Sequence, residues 1–140
     1  MIIYLYLEFN YIFVPMINVN KNDEPLDLSY LREMSADNAE FIIEMIDLFK
    51  AQTPVYLSEL ESAVADKNWP LVSTCAHRMK PTFAYIGRED AKLHMQMIEH
   101  NARELIEVEA LPKAFAEIAE FVPVLYRQLD LARADLEKEL

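Results

Sequence analysis

The sequence predicts an all-α fold, an antiparallel up-and-down four-helix bundle with a short extra N-terminal helix. Three observations carry this. Gly87 is the single glycine in 140 residues. Long stretches are rich in Ala, Leu, Glu, Met and Lys, which lose little on entering a helix. Apolar residues recur at helical spacing through four long segments joined by short turns. The hydrophobic fraction of 53% fills one core and is too high for a disordered chain.

Residues 1–24 read as an extension and linker, and 25–140 as the bundle domain. Met1 to Val19 is apolar, but Glu8, Asn10 and Pro15 interrupt it. It is too broken for a membrane span and lacks the basic start and small-residue cleavage site of a signal peptide. It is expected to be a poorly packed extension, with Met16 as an alternative start. Residues 20–25 read as the linker, and Leu28 to Met34 as the short helix. Asp37 with Glu40 has the spacing of a capping box, opening a helix whose stripe is Phe41, Met45, Leu48, Leu60 and Val64. Pro54 should kink or break it. The turn Asp66-Lys67-Asn68 leads to a helix from Trp69 to Ile86, with Pro70 in its first turn and Gly87 as its cap. The next helix begins after Glu89 or Asp90 and carries a seam of Ala91, Met95, Ile98, Ala102 and Leu105. The last runs from Pro112 toward Glu137 on Phe115, Ile118, Val122, Leu125 and Leu129, with a bend at Pro123.

Composition excludes several functions. One glycine cannot build a Walker loop, a dinucleotide fingerprint or a glycine-rich kinase lid, so an ATP-dependent kinase is not expected. A net charge of -11 disfavours nucleic-acid binding. Cys75 is the lone cysteine and a core filler, which suits a reducing, cytoplasmic setting.

The chemistry points to the third helix. At 100° per residue, Val72, Cys75, Met79, Phe83 and Ile86 share the core side, and His77 points away from it. Around His77 lie the compact residues Ser73, Thr74, Pro81 and Ala84, where an ordinary solvated face would carry Glu, Lys and Gln. Lys80 sits one turn on, within reach of an anion on the imidazole. No Asp or Glu occurs between Lys67 and Arg88, a window holding Arg78 and Lys80 as well. Such a basic island suits a phosphoryl group and an acidic partner pocket. His94 and His100 are expected on the surface, and Met79, Met95 and Met97 in packing.

Ala76-His77-Arg78-Met79-Lys80, followed by Thr82 and Gly87, resembles the signature of histidine-containing phosphotransfer (HPt) domains. That family's pattern is Ala-His-x-Leu-Lys-Gly, then small residues, then a helix-ending glycine. Leu26-Asp27-Leu28, Pro54 and Asp66-Lys67-Asn68-Trp69 also resemble the family, so the likeness covers about residues 25–138. It implies that His77 is phosphorylated and that Lys80 steadies the phosphoryl group. It places Glu99 where the family often has a glutamine bonded to the histidine ring, and Arg103 where some members carry an arginine. Two departures stand out. Pro81 replaces the glycine and removes the N–H that would bond the His77 carbonyl, so the helix is expected to bend. Glu99 for glutamine would accept from Nδ1–H and leave Nε2 as the nucleophile, while adding negative charge beside the phosphoryl group.

The resemblance implies a monomeric, cytoplasmic phosphorelay intermediate without autonomous kinase activity. His77 would accept a phosphoryl group from a receiver-domain aspartyl phosphate and pass it to another receiver. Its partners would be response-regulator receiver domains and hybrid sensor histidine kinases. The receiver would supply Mg²⁺, and the chain itself would hold no cofactor or metal. Ser73, Thr74, Arg78, Pro81, Ala84 and Arg88 would form the docking surface. The alternative is a non-catalytic acidic helical interaction module. A metal site using His77, His94 and Glu99 is a third reading, weakened because His94 and His100 do not form the i, i+4 pair of a helical metal site.

Overall fold

A computed structural model describes residues 5–7, 10–12 and 16–140, with side chains from residue 16 onward. Two short strands, β1 (Leu5–Leu7) and β2 (Asn10–Ile12), pair antiparallel with Leu5 opposite Ile12. The poor packing expected of Met1 to Val19 otherwise falls, up to residue 15, outside the described residues; beyond that, Ile17 packs against the core. Five α-helices follow: α1 (Ser29–Met34), α2 (Ala39–Ala65), α3 (Trp69–Tyr85), α4 (Glu89–Glu104) and α5 (Leu111–Glu137). They form a helical bundle. α3 packs on α2 and α4, and α5 closes against α2 and α4.

The ends are set locally. Asn38 caps α2, its side-chain oxygen accepting from the Phe41 N–H at 3.0 Å. The expected capping box starting at Asp37 does not form, because Asp37 lies in the left-handed region at φ 62. Asn68 likewise accepts from the Leu71 N–H at the start of α3. Gly87 follows α3 at φ 80, and a β-carbon there would collide with the Asp27 backbone. The only glycine therefore stands where both conformation and space require it. Leu105 ends α4 in the left-handed region and is exposed, not part of the seam expected for it.

The core stripes of α3 and α5 are largely those expected: Val72, Cys75, Met79, Phe83, Ile86, Ile118, Val122, Leu125 and Leu129 are buried. Ala91, Met95, Ile98 and Ala102 bury on α4. The first half of α2 is rotated from expectation. Ile42, Ile43, Ile46 and Phe49 are buried, whereas Phe41 and Leu48 are exposed. Both sets fit a 3.6-residue period in a helix apolar on several faces, so periodicity alone could not choose between them.

The internal prolines do not break the helices: α2 continues through Pro54, α3 through Pro81 and α5 through Pro123. At Pro54 the cause is visible. Proline leaves the carbonyl four residues back, that of Lys50, without its helical donor. The Tyr126 hydroxyl of α5 donates to that carbonyl at 3.0 Å. Asp47 pairs with Arg133 and Lys50 with Asp130 along the same α2–α5 seam. Tyr30 of α1 stacks on Tyr85 of α3, with ring centroids 5.1 Å apart.

Candidate functional site

His77 sits mid-way along α3, on the side away from the Val72–Met79–Phe83 stripe. Its side chain is 70% exposed. Across the α3–α4 hairpin, Glu99 projects from α4 with its side chain only 11% exposed. Glu99 Oε2 accepts from His77 Nδ1 at 2.7 Å. A carboxylate can only accept, so the proton lies on Nδ1 and the lone pair on Nε2. The second carboxylate oxygen, Oε1, meets Lys80 Nζ at 2.5 Å. Lys80 is 19% exposed, one turn beyond His77. One carboxylate thus holds both the imidazole and the ammonium. Burial pushes the Glu99 carboxyl up, but bonds from Lys80 and His77 outweigh that and hold it below the ordinary carboxylate value.

Register explains why the sequence brings these groups together. His77 lies ten residues before Gly87 and Glu99 twelve after it. A hairpin turning at Gly87 places them level. Lys80 follows His77 by three positions, which puts both on one helix face.

The other expected site residues divide. Arg103 is exposed on α4, where its guanidinium meets Glu104 at 3.2 Å and His100 at 3.3 Å. Thr74 and Pro81 are exposed, and Ser73 and Ala84 half-buried, leaving a low surface beside His77. The Thr74 hydroxyl is turned back onto the Pro70 carbonyl. Arg78 is exposed but tied to α2, paired with Glu59 and stacked over the Tyr56 ring at 4.4 Å.

Arg88 is not part of any docking surface. It is 2% exposed and among the largest buried side chains of the domain. Its guanidinium makes a two-point contact with Asp90, at 3.0 and 2.8 Å. It also donates to Gln128 and Asn22 side chains and to the Asn18 carbonyl, and lies over Phe121. Asp90 in turn accepts from the Asn18 N–H at 2.7 Å. Gln128 donates to the carbonyls of Lys21 and Glu24. These bonds fasten residues 18–24, expected to be the end of a poorly packed extension and most of the linker, onto α4 and α5. Sequence reading assigned Asp90 only a helix-start charge; its closeness to Arg88, two residues before, was the available signal.

The acid-free window is therefore not a basic surface. Carboxylates meet three of its cations: Glu59 and Glu99, from other helices, meet Arg78 and Lys80, and Asp90, two residues past the window's end, meets Arg88. His94 also departs from expectation. It is fully buried, with Nε2 donating to the Ala114 carbonyl of α5 at 2.8 Å. Burial pushes its pKa down. It does not join His77 and Glu99: among the described residues, no three His, Cys, Asp or Glu side chains group as a metal site. Cys75, Met79, Met95 and Met97 are buried in packing, as expected. Among the described residues no helix is long and apolar enough to cross a membrane. No protein-family model, curated protein or solved structure matches this chain.

Proposed function

We propose that this chain is a phosphorelay intermediate of the HPt kind, built as an antiparallel four-helix bundle, in which His77 carries the phosphoryl group. One observation carries the reading: an exposed imidazole whose Nδ1 is held by a buried carboxylate, so that the Nε2 lone pair is left for an incoming group. The opposed runs of the pairs Asp47–Arg133 and Lys50–Asp130 support the topology. An ordinary imidazole is largely neutral at neutral pH and is therefore a competent nucleophile.

In the proposed step, Nε2 attacks the phosphorus of an aspartyl phosphate on a receiver domain. The P–N bond forms as the P–O bond breaks, and the receiver carboxylate leaves with the electron pair. The receiver brings Mg²⁺ and most of the stabilisation of charge. This chain supplies the nucleophile, a compact surface of Thr74, Pro81 and Ala84, and Lys80 to meet a phosphoryl oxygen. Without a phosphorylated partner it turns nothing over, and it works in the cytoplasm beside its receivers and a hybrid sensor kinase.

The test is to incubate the chain and its His77→Gln variant with a phosphorylated receiver. The expected result is an acid-labile label on the wild type and none on the variant, with equal helix content. Equal labelling of both would remove His77 from the reaction. A folded chain that takes no label from any receiver of its proteome would be the acidic interaction module instead.

A further inference from the structure

The Glu99 carboxylate raises a question that the phosphotransfer reading leaves open: what happens to the Nδ1 proton once Nε2 is phosphorylated. In free His77, Nδ1–H donates to a carboxylate whose charge is shared with Lys80, at 2.7 and 2.5 Å. Attack through Nε2 leaves Nδ1–H in place, so the first product is a phosphoimidazolium. A solvent-facing or amide-bonded ring would then release that proton at neutral pH. Here the proton faces a carboxylate.

We propose that Glu99 keeps the Nδ1 proton on phosphorylated His77, making this phosphohistidine a fast-discharging carrier and not a stable store. The inference rests on the reading of His77 as the phosphoryl acceptor. Its chemistry is that of the leaving group. With Nδ1 protonated, cleavage of the P–N bond returns the electron pair to Nε2 and releases a neutral imidazole. Without that proton the same cleavage would have to expel an imidazolate, a far poorer leaving group. The acceptor, a receiver carboxylate or water, forms the new P–O bond; where water is the acceptor, its proton passes to solvent.

Lys80 strengthens the effect. Its ammonium is bound to Glu99 before phosphorylation, and from one turn away it can move to a phosphoryl oxygen. That transfer withdraws the cation from Glu99 and leaves the full carboxylate charge facing the ring. α2 and α4 pack along α3, and α1 meets it through Tyr30 on Tyr85. From α2, Glu59 is paired with Arg78. On α4, next to Glu99 and one turn on, His100 and Arg103 contact each other, and Arg103 contacts Glu104. Glu99 is thus the charged group in contact with the ring itself.

An opposite charge in contact with a base favours its protonated form, and above the midpoint discharge follows the protonated fraction. The experiment phosphorylates the wild type and Glu99→Gln directly with phosphoramidate, which needs no protein partner, and follows the phosphohistidine signal by ³¹P NMR. The expected outcome is about a tenfold shorter half-life for the wild type at pH 8, with the two proteins converging near pH 5, where both rings are protonated. Equal half-lives across the range, or a longer-lived wild type, would overturn the proposal. A second measurement needs no variant. The ¹⁵N spectrum of phosphorylated wild type at pH 8 should show a proton on Nδ1, and a bare, pyridine-type Nδ1 would overturn it even if Glu99→Gln failed to fold. Absence of any phosphoramidate label on His77 would overturn both this inference and the phosphotransfer reading. A labelled His77 that exchanges with no receiver would remove only the relay and leave the role of Glu99 standing.

Discussion

Lys80 and Arg88 come from the same acid-free stretch, and each meets a carboxylate from α4: Glu99 for Lys80 and Asp90 for Arg88. Around Arg88 the hydrogen-bonding capacity is filled by Asp90, Gln128, Asn22 and the Asn18 carbonyl, beneath a surface that leaves the guanidinium 2% exposed. Around Lys80 the cluster is open on one side, where a 70% exposed imidazole presents its second nitrogen. The same pairing therefore serves two ends. A saturated, dry cluster holds chain segments in place. One with an unspent lone pair at the surface can do chemistry. Residue type does not separate the two; the number of remaining acceptors and access to water do.

The largest effect that would break this comparison is at Arg88. Arg88→Met leaves Asp90 buried without its cation, a change that costs about 3–5 kcal/mol in comparable pairs. Chemical denaturation should show that loss, while labelling of His77 per folded molecule stays unchanged. A change in labelling at constant fold would show that the two clusters are coupled. Replacing both partners, Arg88→Met with Asp90→Asn, should cost less than Arg88→Met alone, since no unpaired charge remains. The acid limb follows from Asp90. Burial pushes its carboxyl up, but the bonds from Arg88 and Asn18 prevail and hold it below its ordinary value of 3.8. A carboxyl depressed in the folded state adds stability above about pH 4 that is lost as pH falls through the folded value. Acid titration of Arg88→Met should lack this component of the loss, and an unchanged acid limb would remove Asp90 from it.

Next in size is Lys80→Ala. A charge-assisted bond to a phosphoryl oxygen contributes about 1.5–3 kcal/mol before screening, so partial exposure reduces the expected slowing of transfer to about tenfold. Stopped-flow transfer from a phosphorylated receiver reads this, and unchanged kinetics would leave Lys80 as a partner of Glu99 alone. The smallest effect is at the α2–α5 seam. Tyr126→Phe removes the donor to the Lys50 carbonyl that Pro54 has deprived of its own, at a cost of about 1 kcal/mol. A thermal melt should register it, and the Pro54→Ala background should reduce it by restoring the helical N–H.

Much of the site was legible before any fold was known. The wheel of α3 separates His77 from Val72, Cys75, Met79 and Phe83 because those four residues leave one face with no apolar competitor. The spacing about Gly87 then sets Glu99 level with His77. On α2 the same reasoning chose Phe41 and Leu48 over Ile42, Ile43 and Ile46, because a run apolar on several faces supports more than one stripe. Arg88 failed for a different reason. Its neighbours Asn22 and Gln128 lie 66 and 40 residues away, and no local pattern reports a partner brought in by the bundle.

The sequence by itself determined the helices, their turns, the outward placement of His77 and the register that pairs it with Glu99. These depend on propensity, on the 3.6-residue repeat and on the one residue able to adopt φ 80 against the Asp27 backbone. Only the tertiary structure decided which charges remain available for chemistry. The window between Lys67 and Arg88 is basic along the chain, yet Glu59 and Glu99 neutralise two of its cations from elsewhere in the fold, and Asp90, just past its end, neutralises a third. A Coulomb interaction acts through space, so the charge a site presents is fixed by what the packing brings beside it and how far water is kept out.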